Sequence, residues 1–356
     1  MHMKRDYYED IRLLGSKAAV FWMLILLSSL VLFPLLAGPY SIYIINLMAI
    51  NVIVALGLNL LVGYTGQISL GHAGFFAIGA YATLALMLKA SFPFLLALPV
   101  AGLLAAGFGF LLGLPALRLE GPYLAIATLG FGLTVTQVLG RLHFLGGHEG
   151  LTAPPLNLFG WLVDSDAERY AVIVPIAVGL TWAMRNLVHT RVGRAFVAIR
   201  DSDIAAECIG VNLTYYKTLA FAISAFYTAV AGGLMAFVLN FINPHTFNIM
   251  VSILFLAMVV VGGLGSILGS IMGALLITWL QIELGNVDQL IKAAGDIPGL
   301  GSYISALVNL AFTPSGLPNF QYVVFGLIMV LIVIFEPLGL YGIWIRTKIY
   351  WKTWPF

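Results

Sequence analysis

A short run of small and polar residues, Gly66-Gln67-Ile68-Ser69-Leu70-Gly71-His72, interrupts an otherwise apolar chain. An amide, a hydroxyl and an imidazole in this window can donate and accept hydrogen bonds, and the glycines let backbone approach closely. Thr128, Thr134 and Gln137 form a second polar set, and the last two stand three apart, on one helical face. Asn46, Asn51 and Asn59 add amides to a neighbouring apolar run. Groups of this kind pass water or a polar solute along by hydrogen bonding. They equally glue helices together or satisfy carbonyls freed at a helix break, so each keeps that plain alternative. His72 reads as a satisfied structural histidine, because no second His or carboxylate lies near it to make a metal site or a catalytic pair. An enzyme would need clustered His, Asp, Glu or Cys, and the 6 histidines are scattered. No catalytic residue and no metal ligand is expected.

The elements that hold these residues must be membrane helices. Of 356 residues, 61% are hydrophobic and 9% are charged, with a mean hydropathy of +1.01. A soluble domain carries about 25% charged residues, so this composition belongs to an integral membrane protein. Ten apolar runs, each roughly 17 to 24 residues, are long enough to cross about 30 Å of hydrocarbon. They lie near 18–37, 40–62, 67–88, 92–114, 121–140, 169–188, 216–240, 247–263, 266–284 and 320–340. The fold expected is an all-α polytopic bundle with broken helices near its centre, since backbone polar groups in a bilayer survive a break only under protein cover or in a wet cavity. The first run is nearer 20 residues than the short core of a cleavable signal, and is read as an uncleaved span.

Basic residues set the orientation. With both termini inside, inner segments hold 13 of the 17 Lys and Arg, and the outer side keeps only Lys89, Arg141, Arg169 and Lys292. The permease domain is placed at 18–340, between a cytoplasmic segment 1–17 and a cytoplasmic tail 341–356, with external loops at 141–168 and 285–318. Gly146 to Thr152, the acids Asp164, Asp166 and Glu168, and the 285–318 loop would offer a landing surface for an external protein or serve as solvated connectors. Net charge is +2, and no basic run is interleaved with aromatics, so nucleic acid is not an expected partner. Cys208 is the sole cysteine and cannot form an intrachain disulfide.

No Asp, Glu, Lys or Arg falls in the middle of a predicted span. Ion-driven transporters generally keep such a group for the coupling ion, so the driving energy is expected from outside the chain. The inner segment 189–214 is where it would enter. Ala195 to Arg200 and Ile204 to Ile209 favour helix, Asp201-Ser202-Asp203 supplies an N-cap, and Gly210 closes the second run. The result would be a short helical pair presenting Ile204 and Ile209 to a partner's groove; the alternative is an amphipathic linker lying on headgroups.

Four ordered segments, Gly63 to His72, Gly121 to Gly130, Gly193 to Gly210 and Val260 to Ser266, resemble the permease subunits of branched-chain amino acid ABC importers, specifically the LivM type. The likeness covers roughly residues 40–340. It implies a heterodimer with a LivH-type permease, two cytoplasmic ATPase subunits that bind ATP and Mg, and a periplasmic or lipid-anchored substrate-binding protein, in the inner membrane of a prokaryote. It also makes 189–214 the ATPase-coupling loop, with Gly193, Arg194, Arg200, Asp201, Asp203, Ala206, Glu207 and Gly210 as its working residues; the polar side chains themselves offer Gln67, Ser69, Gly71, His72, Thr128, Thr134 and Gln137 as the translocation path. Relatives handling urea, short amides or aromatic acids share these motifs, and an ion-coupled secondary transporter is the rival class. The sequence contains no Gly-x-x-x-x-Gly-Lys-Ser/Thr phosphate loop, so no cofactor is expected in this chain and hydrolysis belongs to a partner. Gly66-x4-Gly71 and Gly265-x3-Gly269 hint at an internal repeat whose two breaks would line one pathway.

Overall fold

Helix ends follow the chemistry of the residues that bound each apolar run. The computed structural model describes residues 17–119, 121–158, 161–163, 165–285, 326–332, 334–336 and 338–353. In chain order the helices are α1 (Lys17–Leu36), α2 (Pro39–Asn59), α3 (His72–Ala90), α4 (Phe94–Ala116), α5 (Pro122–Arg141), α6 (Asp166–His189), α7 (Arg191–Asp201), α8 (Asp203–Cys208), α9 (Leu213–Leu239), α10 (Ile249–Gly262), α11 (Ile267–Gly285) and α12 (Gly339–Thr353). Residues 326–332 and 334–335 are also helical. Proline opens α2 and α5, where its missing N–H costs nothing. Side-chain N-caps come from Ser165 on α6, Ser202 on α8, Asn212 on α9 and Asn248 on α10. At α6, Glu168 reaches back to the Ser165 N–H and completes a capping box.

Among the described residues, six helices are long and apolar enough to cross a membrane: Pro39–Tyr64, His72–Ala90, Phe94–Ala116, Pro122–Arg141, Asp166–His189 and Leu213–Leu239. Every one of the ten predicted spans coincides with helix, the last only over its described residues. The chain is a multi-pass, all-α membrane protein. α6 and α9 each begin three residues earlier than the sequence suggests, and the third span begins later, at His72 rather than 67, because residues 65–71 form no helix. The inner segment 1–16, Glu120, Asp164 and loop residues 286–318 lie outside the described residues.

α9 is the central post. Its 27 residues reach roughly 40 Å at 1.5 Å per residue, more than the hydrocarbon needs, and α2, α3 and α4 pack around it. Contact with α3 is backbone to backbone. A Cβ on Gly79 would sit 2.0 Å from the Ala229 carbonyl oxygen, and one on Gly232 would sit 2.0 Å from that of Phe76. Glycine at both places permits the close approach by which membrane helices gain packing energy. α10 is different, since 14 residues cover about 21 Å and cannot span hydrocarbon alone. Before it, the turn Pro244–Phe247 carries Phe247 into the core against Phe76 and Tyr81.

Two short antiparallel pairs close the end opposite α7 and α8. β1 (Leu151–Thr152) pairs with β4 (Phe241–Ile242), and β2 (Leu156–Leu158) with β3 (Trp161–Val163). The acids read from sequence as a landing surface are partly used locally, Asp166 in an ion pair with Arg169 and Glu168 in the α6 cap. The second-span amides join helices to one another. Asn46 donates to the Asp166 carbonyl, Asn51 to Thr278 Oγ1, and Asn59 to the Ser266 carbonyl and Ser270 Oγ. The polar stripe expected in that span is therefore interhelical glue.

Candidate functional site

After α2, the chain makes a π turn at Leu60–Tyr64 and then runs without helix through residues 65–71 into α3. π turns commonly mark functional interruptions of a helix. Free backbone groups in hydrocarbon cost several kcal/mol each, so their partners decide whether the break is tolerable. The Gln67 N–H donates to the Leu61 carbonyl at 3.0 Å, the Leu70 N–H to Thr128 Oγ1 at 3.0 Å, and the Gly71 N–H to Ser69 Oγ at 3.5 Å. At the head of α3, the Ala73 N–H donates to Ser252 Oγ of α10 at 2.9 Å, and that of Gly74 to the Gly71 carbonyl at 3.0 Å. Hydroxyls from two other helices thus stand in for the missing helical ladder.

His72 joins the break to α9. Its Nδ1 lies 3.0 Å from Ser69 Oγ and its Nε2 lies 2.7 Å from Ser224 Oγ, and the ring is wholly buried. Both nitrogens are partnered, which matches the structural role read from sequence. Among the described residues, no group of three or more His, Cys, Asp or Glu is placed to hold a metal. Gly71 presses against α5, where an added Cβ would meet the Thr128 carbonyl oxygen at 2.1 Å.

The seven residues that the sequence offered as a path therefore divide. Gln67, Ser69, Gly71, His72 and Thr128 converge on one buried junction of the break with α5 and α9. Within it Gln67 is 93% buried by its 7% exposure, and neither atom of its amide has a protein partner. Thr134 and Gln137 are not part of this junction. They lie on the exposed side of α5, and Thr134 bonds only the Gly130 carbonyl of its own helix. Ala127, Gly130 and Arg141 continue the same side at helical spacing, a feature the sequence offered but the reading from it missed. Tyr123 and Ile126 flank it, 72% and 65% exposed.

The second site is the α7–α8 pair, built much as the sequence suggested. Gly193 fits against α6, where a Cβ would meet the Val188 carbonyl oxygen at 2.1 Å. Arg194 reaches the His189 carbonyl at 3.4 Å, and Phe196 and Ile199 anchor α7 in the core. Ser202 Oγ accepts from the Ala205 N–H, Ala206 is buried, and Asp203 pairs with Lys217 of α9. Gly210 takes a left-handed φ of 87° and ends the pair. Ile204 and Ile209 are left 78% and 75% exposed at the tip, beside exposed Glu207.

These two sites occur in a chain whose residues 40–333 match the family model described as "Branched-chain amino acid transport system / permease component". The LivM permease of the high-affinity branched-chain amino acid transport system from Escherichia coli strain K12 is 35% identical, over 56% of this chain and 53% of the relative. Its counterpart from Salmonella typhimurium strain LT2 is 35% identical over 73% of this chain and 67% of the relative. The LivH permease of the latter organism is 27% identical over 41% of this chain and 52% of its own length. The chain thus spans roughly half to two thirds of the curated relatives it matches. No solved structure matches. The length of the family match, across the break and the α7–α8 pair, settles the relationship: the chain belongs to the family of branched-chain amino acid transport permease components.

Proposed function

We propose that this chain is the permease subunit of an ABC importer for branched-chain or related amino acids, forming half of a translocation pathway in a prokaryotic inner membrane. A LivH-type permease supplies the other half, two cytoplasmic ATPases supply ATP–Mg chemistry, and a substrate-binding protein delivers the solute from outside. The relatives' names support the solute class and the two-permease pairing. The observation that carries the reading is the α7–α8 pair, anchored by buried Phe196 and Ile199 and left with two bare isoleucines, Ile204 and Ile209, on α8 and just after it. An amphipathic linker on headgroups would bury such residues in lipid along its length, whereas here apolar surface is concentrated at one point fit for a groove.

Supporting it, no Asp, Glu, Lys or Arg is buried among the described residues, so an ion-coupling group of the usual kind is lacking there. The exposed Ala127, Gly130, Thr134 and Gln137 of α5 suit contact with a second permease and a hydrated path between them. Thr134 and Gln137 then touch the solute, and Gln67, Ser69, Gly71, His72 and Thr128 shape the wall behind it.

The test is purification of this chain with its partner subunits, followed by reconstitution in liposomes. Uptake should require ATP and the binding protein, and Ile204→Asp with Ile209→Asp should cut ATPase co-purification about tenfold. Ion-driven uptake by this chain alone would overturn the assignment.

A further inference from the structure

Three pieces of backbone converge on one side chain where the coupling pair meets the bundle. Arg200, in the last turn of α7, donates from Nη1 to the Gly63 carbonyl at 3.1 Å. That carbonyl belongs to the π turn ending α2, where acceptors have no further helix to bond and the negative end of the helix dipole gathers. The stem of Arg200 lies along Gly66, whose absent Cβ would be 3.4 Å from its Cγ, and Nη1 would be 3.0 Å from a Cβ on Gly265. Gly66 and Gly265 adopt nearly the same left-handed φ, 71° and 72°, which side chains rarely tolerate. The guanidinium therefore fills the space between two glycine turns.

The rest of the fork is held as firmly. Nε and Nη2 both donate to Asp201 Oδ1, at 3.1 and 3.0 Å, fixing the plane of the guanidinium. Asn59 then ties the turns to each other, since its Oδ1 accepts from the Gly265 N–H at 2.9 Å while its Nδ2 bonds the Ser266 carbonyl and Ser270 Oγ. Five residues beyond Gly66, Gly71 rests on Thr128 of α5. A displacement of α7 is thus passed to both turns at once, and through 65–71 to α5.

Resting on the importer reading above, we propose that Arg200 is a positioning residue for transport that caps α2 from the coupling pair and carries its motion into the two glycine turns. Ile204 and Ile209 hold the ATPase; Arg200 transmits what the ATPase does.

The test compares Arg200→Met and Arg200→Lys in the full complex, reconstituted in liposomes with its binding protein. For Arg200→Met, ATPase subunits should co-purify at wild-type stoichiometry while ATP hydrolysed per solute imported rises about tenfold. Lysine retains a cation able to reach one carbonyl but not the fork, so its ratio should return to within about threefold of wild type. An unchanged ratio in Arg200→Met, or uptake and hydrolysis falling together, overturns the proposal, as does loss of ATPase co-purification, which would make Arg200 a docking residue. Uptake by the wild-type chain without ATPases defeats the importer reading itself and is seen independently of either variant.

Discussion

Single residues at the break bear on stability through backbone contact and through buried hydrogen bonds. A Cβ at Gly71 meets backbone, so Gly71→Ala should destabilise by about 1–3 kcal/mol of overpacking, measured as a lower midpoint of thermal denaturation in detergent. The larger Gly71→Leu should fail through folding rather than by obstructing an open channel. Removing the Ser224 hydroxyl leaves one nitrogen of buried His72 without its partner, and Ser224→Ala should cost about 1–3 kcal/mol in the same assay. His72 was legible as structural because no carboxylate or second histidine stands near it in sequence. Its partner Ser224, 152 positions away, was not, since nothing local distinguishes that serine from others in an apolar helix.

At the level of elements, the spans were readable because crossing hydrocarbon imposes a length and a composition that few other structures share. The start of α3 was not, since an apolar tally passes over Ile68 and Leu70 while the hydroxyls of Thr128 and Ser252 decide where helix begins. Likewise the roles of Asn51 and Asn59 depend on α11, more than 200 residues away. The α7–α8 pair was read almost intact, because capping and closing signals at Ser202 and Gly210 are local. Nothing lies within 4 Å of a Cβ at Gly130, so Gly130→Leu should leave this chain's thermal midpoint near wild type. If that side of α5 meets a second permease, the same variant lowers uptake about tenfold, and equal uptake would remove α5 from the pathway.

For the whole molecule, the two glycine breaks suspected of being a repeat turn out to be neighbours. Gly63 and Gly265 are so close that a Cβ on the former would lie 2.2 Å from the latter's nitrogen, beneath the coupling pair. The two breaks meet at one junction beside α7, where Arg200 bonds the Gly63 carbonyl and approaches Gly265.

Two of the hydroxyls that satisfy residues 65–74 come from Thr128 and Ser252, and His72 Nε2 bonds Ser224. All three leave the ribosome after the stretch they serve. The junction around residues 65–74 is therefore complete only once α5, α9 and α10 have been made, and a chain truncated before Ser252 should be degraded faster than the full chain in a pulse-chase measurement.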